Sequence, residues 1–285
     1  MAARSQRTIR RKVAVMGAGY WTGRGNVVEL CPAPAGTGVV FVRGDRDVPV
    51  RIAAVVENRV DASSRTNLAV GGVGVQMVEH LLSALAGLGV DCVLARLSAE
   101  ELPGLDGSAQ AFVAAIDEAG IEDLGAPVEP ILVRETIRVE DGGSWIEASP
   151  PRYAGLSVDY ELDYGPGPIG RQQFSARITP ESYREGIAGA RTFLTVPQGE
   201  QLRAAGLGLA VGYGDLLVFD DRGPVGNALR WPDECVRHKV LDLVGDLALA
   251  GRPIHGHVRA FRSGHRLNGL MAARLLAANG RRASA

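Results

Sequence analysis

Cysteine is scarce in this chain of 285 residues: Cys31, Cys92 and Cys235 are odd in number, far apart and never arranged as CxxC. That excludes a disulfide framework and a thiolate zinc knuckle, and it suits a reducing cytoplasm. No apolar run reaches the roughly 18 residues of a membrane span. An excess of one charge is lacking too, with 31 Lys and Arg against 32 Asp and Glu. A general nucleic-acid binder needs surplus cations to neutralise phosphates, so nucleic acid is not an expected partner, although a local basic pocket is allowed. Histidine is rare: His80, His238, His255, His257 and His265 are all there are. Any transition-metal site must draw on these five residues and on carboxylates.

What is present is ample apolar material, 46% of residues, enough for one large domain or two ordinary ones. The opening, MAARSQRTIRRK, is Arg-rich and acid-free, as a transit peptide would be. No apolar signal core follows, and β-branched residues begin at once, so it reads as a basic first strand. Residues 8 to 75 read as strands and turns broken by Gly, Pro and Asp. MVEHLLSALAGLG then reads as a helix, with Val78, Leu81, Leu82 and Leu85 on one face and Gly87 or Gly89 near its end. A strand (DCVLARL), a loop and a helix (SAQAFVAAIDEAG) follow.

GAPVEP, residues 125 to 130, reads as a linker, dividing the chain into domains at 1–125 and 130–285. Beyond it the same grammar returns. ILVRETIRVE, SWIEASP and LSVDYELDY alternate like antiparallel strands. TPESYREGIAG offers Thr179 as N-cap and Pro180 at the first helical position. A long helix (PDECVRHKVLDLVGDLALAG), a strand (IHGHVRAF), a loop and a last helix complete the half. The interval from His80 to His238 matches that from Ser108 to His265 to within one residue, a hint of duplication. Strands grouped before helices predict an α+β fold: two related domains, each a mainly antiparallel sheet with packed helices.

On the long helix Val236, Val240, Leu243, Val244 and Leu247 form an apolar stripe. His238, Asp242 and Asp246 lie one turn apart on the other side, with Lys239 beside them. His and Asp at i and i+4 can bind one ion, and equally can be an ordinary contact on a solvated face. His80 lies opposite its own helix's apolar stripe, and the adjacent Glu79 could take a proton from water at a metal. Together these elements supply His80, His238 and Asp242, three ligands with one open position, which is the pattern of a catalytic zinc site. His265 precedes the final helix, whose N-terminus disfavours positive charge while a carboxylate such as Asp246 favours it, so it is expected to switch near neutral pH. His255 and His257 share one strand face, with no acid evident nearby, and read as an exposed sheet face.

The rival reading is a nicotinamide-dependent enzyme, with KVAVMGAGYWTG as a strand entering a dinucleotide-binding glycine loop and Asp45 ending a later strand. Its glycines, Gly17, Gly19 and Gly23, are spaced one residue too long for GxGxxG, and no helix follows to meet a pyrophosphate. A turn between two strands is expected there instead. A catalytically silent binding protein is the other alternative, and the intact Glu79, His80, His238, Asp242 and His265 argue against it.

VEHLLSALAGLGVD, LPGLDGSAQAFV, GARTF, LRWPDECVRHKVLDLVGDL and FRSGHRLN, in this order behind the opening segment, resemble the UDP-3-O-acyl-N-acetylglucosamine deacetylases over nearly the whole chain. The resemblance implies a sandwich of two α+β domains with Zn2+ between them. It implies hydrolysis of the N-acetyl group of an acylated UDP-amino sugar, an early committed step of lipid A synthesis. The partner is then a small-molecule substrate, compatible with peripheral proximity to a membrane, and no obligate protein partner is evident. By the same resemblance His80, His238 and Asp242 match the zinc ligands, Glu79 the general base, His265 the partner of the tetrahedral intermediate and Asp246 the group orienting it. Thr192 matches the hydroxyl at the oxyanion, and Lys239, Phe193 and Tyr164 match groups near the sugar nucleotide. LRAAGLGLAVGYGDLLVF resembles the passage for the acyl chain. The chain departs from the family at Trp21, where His is usual, and at Ser144, where Lys is often found. Trp21, in its Gly-flanked turn, is expected to touch substrate or to pack on the sheet.

Overall fold

Runs of β-branched residues broken by Gly and Pro give short strands, and short strands need partners from elsewhere in the chain. In the computed structural model, which describes residues 4–280, they build two large sheets. The first has the order Val13–Ala18, Gly25–Pro32, Val93–Leu97, Val39–Arg43, Val50–Ala53. Its neighbours are antiparallel except Val39–Arg43 and Val93–Leu97, which run parallel. The second has the order Ile137–Asp141, Ser144–Ser149, Ile254–Phe261, Leu156–Asp163, Arg171–Arg177. Here too the neighbours are antiparallel except one pair, Leu156–Asp163 and Ile254–Phe261. Each sheet is thus two hairpins with a late strand inserted between them. The late strand arrives by way of a helix, the kind of crossover that parallel pairing requires.

The helices repeat in the same way. Helix α1 (Glu79–Leu88) leads into the late strand of the first sheet and α2 (Gln110–Ala119) follows it. The second half adds α3 (Pro180–Gly186) and α4 (Val196–Ala204), then α5 (Glu234–Leu247) before its late strand and α6 (His265–Ala278) after it. Each half carries an extra piece between its hairpins and its first core helix. In the first it is the small sheet Arg59–Val60, Asn67–Val70, Val73–Val75. In the second it includes Phe193–Thr195, α4 and Leu217–Phe219, the two strands running parallel. The architecture is α+β, and the duplication hinted at by the histidine intervals has a counterpart in the strand order.

Helix α1 was expected to bury one stripe. It buries every residue except Ala86, because α5 packs against it. The approach is closest at Gly245, where a Cβ would overlap the Glu79 carbonyl oxygen. Ser83 Oγ donates to the Leu241 carbonyl at 2.7 Å and accepts from the Tyr183 hydroxyl at 2.8 Å, locking the pair in register. Overpacking of this kind costs about 1–3 kcal/mol. Gly245→Ala should therefore lower the melting temperature and, by displacing the first turn of α1, also reduce turnover. A variant with an unaltered melting curve would contradict so close an approach.

Two local readings need correction, and a third, the basic first strand, holds. Gly125–Pro127 are not linker: they end the strand Ile121–Pro127, which pairs with Ser5–Ile9. ILVRETIRVE forms two strands, because Ile131–Leu132 pairs with Ile254–His255 while Ile137–Asp141 pairs with Ser144–Ser149. The basic opening is a strand from Ser5, and Met1 to Ala3 lie outside the described residues. The cap expected at Thr179 is present, with its side chain accepting from Ser182 N at 3.2 Å.

Candidate active site

The close packing of α1 on α5 brings Glu79 and His80, in the first turn of one helix, beside His238, Asp242 and Asp246 on the other. His265, the first residue of α6 rather than a loop residue before it, closes the group. Glu79, His80, His238, Asp242 and His265 line a cavity of about 850 Å³.

The ligand atoms offered by His80, His238 and Asp242 lie within 4.8 Å of one another. Asp242 Oδ1 is 3.3 Å from His238 Nε2 and 3.7 Å from His80 Nε2. The outer contacts leave these atoms free for an ion. His238 Nδ1 donates to the Ala190 carbonyl at 3.0 Å, so Nε2 carries the lone pair. Asp242 Oδ2 accepts from Lys239 Nζ at 2.7 Å, so Oδ1 turns to the histidines. Burial, with help from the nearby His238, pushes His80 down to about 3, so its imidazole is neutral as a ligand must be. Burial also lowers His238, against the pull of Asp242. Burial works against the Asp242 carboxylate, but His238, Lys239, His265 and His80 hold it well below the usual carboxylate range. Two neutral imidazoles and one carboxylate, buried and converging, fit a catalytic dication.

Asp246 sits one turn further along α5. It accepts from His265 Nδ1 at 3.0 Å, from Asn268 Nδ2 at 2.9 Å and from Thr66 Oγ1 at 2.5 Å. His265 Nε2 is thereby turned toward the triad, 4.0 Å from Asp242 Oδ2. Burial alone would lower this histidine, but Asp246, by charge and hydrogen bond, and then Asp242 and Glu79 raise it to about 9. The expected switch near neutral pH is corrected: Asp246 outweighs the helix N-terminus, and the ring stays charged through neutrality. Glu79 Oε2 accepts from Thr66 N at 3.0 Å. Burial pushes Glu79 up to about 7; His265 opposes this, while Asp246 and Asp242 add to it.

The other expected residues gather round this centre. Thr192, Phe193, Tyr164, Lys239, Trp21 and Ser144 all line the cavity. The Phe193 ring centre is 6.3 Å from that of His238 and 5.5 Å from that of Tyr164. Thr192 is fixed from both sides, its N–H donating to the Gly107 carbonyl at 2.8 Å and its carbonyl accepting from Leu217 N at 3.0 Å. The neighbouring Arg191 makes a buried two-point pair with Glu234, at 2.7 and 3.0 Å. The segment expected as an acyl passage contributes Leu202, Leu207, Val211, Leu216 and Val218 to the wall.

The glycine turn at 17–23 joins two antiparallel strands, as expected, and offers no helix to a pyrophosphate. Its tip is held by buried Glu101, which accepts from Trp21 N and Thr22 N, both at 2.8 Å. His255 and His257 are not drawn into the site. His257 is buried rather than exposed, and it does have an acid: its Nε2 is 3.1 Å from Asp159 Oδ2, with Ser157 Oγ 2.9 Å from Nδ1. Strand alternation placed His255 and His257 on one face but could not show that His257 is covered or that Asp159 stands beside it. Sequence reasoning missed Thr66 and Asn268. Asn268 stands at i+3 from His265 on α6, a spacing that could have revealed it. Nothing in the polar run SSRTN marks Thr66.

The UDP-3-O-acyl N-acetylglycosamine deacetylase family model matches residues 6–277. The chain belongs to this family. A UDP-3-O-acyl-N-acetylglucosamine deacetylase of Myxococcus xanthus is 38% identical over 265 residues, covering 93% of this chain and 84% of the relative. One of Brucella ovis is 38% identical over 265 residues, covering 92% of each. The family is one of metalloenzymes, in keeping with the His80, His238 and Asp242 cluster. No helix among the described residues is long and apolar enough to cross a membrane.

Proposed function

We propose that this chain removes acetate from UDP-3-O-acyl-N-acetylglucosamine in lipid A synthesis, in the cytoplasm, with Zn2+ held by His80, His238 and Asp242. The observation that carries this reading is the juxtaposition of that donor set with Glu79 and His265 in one cavity that Leu202, Leu207 and Val211 also line. A dication bound there supplies Lewis acidity to the acetamide carbonyl and acidifies water at the site. Glu79, one oxygen committed to Thr66 N, keeps the other to take the proton of the attacking water. His265, charged and aimed by Asp246, stabilises the developing oxyanion and can hand its Nε2 proton to the departing amine. The Thr192 hydroxyl is a second donor to that oxyanion. Lys239, Phe193 and Tyr164 would seat the sugar nucleotide, and Trp21 lines the same space. Each CH₂ of the acyl chain buried against Leu202, Leu207 and Val211 adds about 0.8 kcal/mol of binding.

The test is acetate release from the UDP-sugar by purified, metal-replete protein; a protein with full metal content and no release would overturn the reading. The pH profile gives a second handle. Glu79 works as its base form, present above about 7, and His265 as its acid form, present below about 9. The rate should therefore rise and then fall across this window, a bound dication moving both limbs to lower pH without reversing their order. His265→Gln should erase the alkaline limb; a variant that keeps it would place that titration elsewhere.

A further inference from the structure

Three lysine and arginine side chains line the cavity, and each already has a partner. Lys239 is bonded to Asp242, Arg266 to Asp141, and Arg203 donates to the Val211 carbonyl at 3.1 Å. Arg65 differs. Its guanidinium lies 4.1 Å from the centre of the Trp21 ring, and Trp21 lines the cavity together with Ser63 and Ser64. Among the described residues Arg65 makes no ion pair and no side-chain hydrogen bond, and its Nε is buried without a partner. Stacking occupies the face of a guanidinium and leaves the donors on its edge unused. A stacked fork of N–H groups with no ion-pair partner, resting on a residue that lines the cavity, is suited to an anion with paired oxygens.

Its place relative to the chemistry follows from the chain. Thr66, the next residue, donates its N–H to Glu79, so Arg65 is one residue from the contact that holds the base. The carboxylates close enough to feel its charge are Glu101 and Glu79. Neither is free to pair with it. Glu101 is taken up by the N–H groups of Trp21 and Thr22 and by the Thr22 hydroxyl, and Glu79 faces the reaction. On a nucleotide sugar the diphosphate is joined to C1, next to the C2 carbon that bears the acetamide. A cation within electrostatic reach of Glu79 is therefore suited to the phosphates of a substrate whose amide meets that base.

We propose that Arg65, held flat on Trp21, binds the diphosphate of the nucleotide sugar and is a substrate-positioning residue of this site. The proposal rests on the deacetylase reading above. It is tested with UDP and uridine as calorimetric probes of the metal-replete full chain. Arg65→Gln should weaken UDP about tenfold and leave uridine unchanged, since only the charge-assisted phosphate contact is lost. Arg65→Lys should recover part of the loss, and wild-type UDP affinity should fall more steeply with salt than that of the Gln variant. With the acylated substrate, Arg65→Gln should raise KM while kcat holds. Trp21→Leu removes the shelf and keeps the charge, so it should weaken UDP by less. UDP affinity unchanged to within about twofold in Arg65→Gln, or an equal loss for UDP and uridine, would overturn the proposal. Acetate release by the wild type is scored separately. A chain that binds UDP through Arg65 yet releases no acetate defeats the deacetylase reading alone, and one that releases acetate with Arg65→Gln binding UDP normally defeats only this one.

Discussion

Treated with a chelator, the protein should lose acetate release to the background rate while its circular dichroism and melting curve stay close to their starting values. The ligands do not need an ion to hold their places. His238 is anchored on the Ala190 carbonyl and Asp242 on Lys239, and α1 is fixed on α5 through Ser83 and on α3 through Tyr183. Charge is balanced as well, because Lys239 already offsets the buried Asp242 and the His80 imidazole is neutral. An ion added to such a finished frame contributes chemistry more than folding energy, in contrast with small zinc domains that unfold without metal. One equivalent of Zn2+ should restore activity. His238→Ala should fail to retain metal, whereas a His255→Ala/His257→Ala double variant should keep it. Metal lost from the double variant and retained by His238→Ala would show that the triad is misassigned.

The spacing of His238, Asp242 and Asp246 was legible because a helix repeats every 3.6 residues and the stripe Val236, Val240, Leu243, Val244, Leu247 fixed its phase. What the period could not show is that the polar side is buried too. A single stripe reports one packing partner, and α5 has three: the strands Leu156–Asp163 and Arg171–Arg177, α1, and α6. The repeated order of elements could be read from interval and grammar. The parallel pair inside each sheet could not, since alternation along a strand is the same whichever way its neighbour runs. The linker at 125–130 looked like one from its Gly and Pro, and pairing with Ser5–Ile9 from the far end of the same half overrode that composition. Thr66 was invisible for a related reason. Its role comes from contacts with Glu79 and with Asp246, and the second of these lies in the other half of the chain. No local pattern carries such a contact. Trp21 was legible as a position but not as a partner of Arg65, because nothing in either segment encodes the stacking of one on the other.

Glu79→Gln should lower kcat by roughly 10²–10⁴-fold, the range expected when a general base is removed, with metal content and KM near their wild-type values. The substitution suits the site's geometry. Glutamine keeps the shape of the side chain, and its carbonyl oxygen can still accept from Thr66 N, the bond that Glu79 Oε2 makes at 3.0 Å. The amide can no longer take a proton from water, which is the one property at issue. Loss of a negative charge beside His265 should also ease that ring's proton off at lower pH, since Glu79 is among the groups that raise it. The residual rate of the variant should thus lose the acidic limb of the pH profile and show its alkaline limb shifted downward. Glu79→Asp retains a carboxylate but draws it back by one methylene, and α1 is too tightly packed on Gly245 to follow it. Its rate should fall between those of wild type and Glu79→Gln while its acidic limb survives. If Glu79→Gln instead turned over at the wild-type rate with metal in place, the proton would be leaving by another route, and His265 would be the group to test as base.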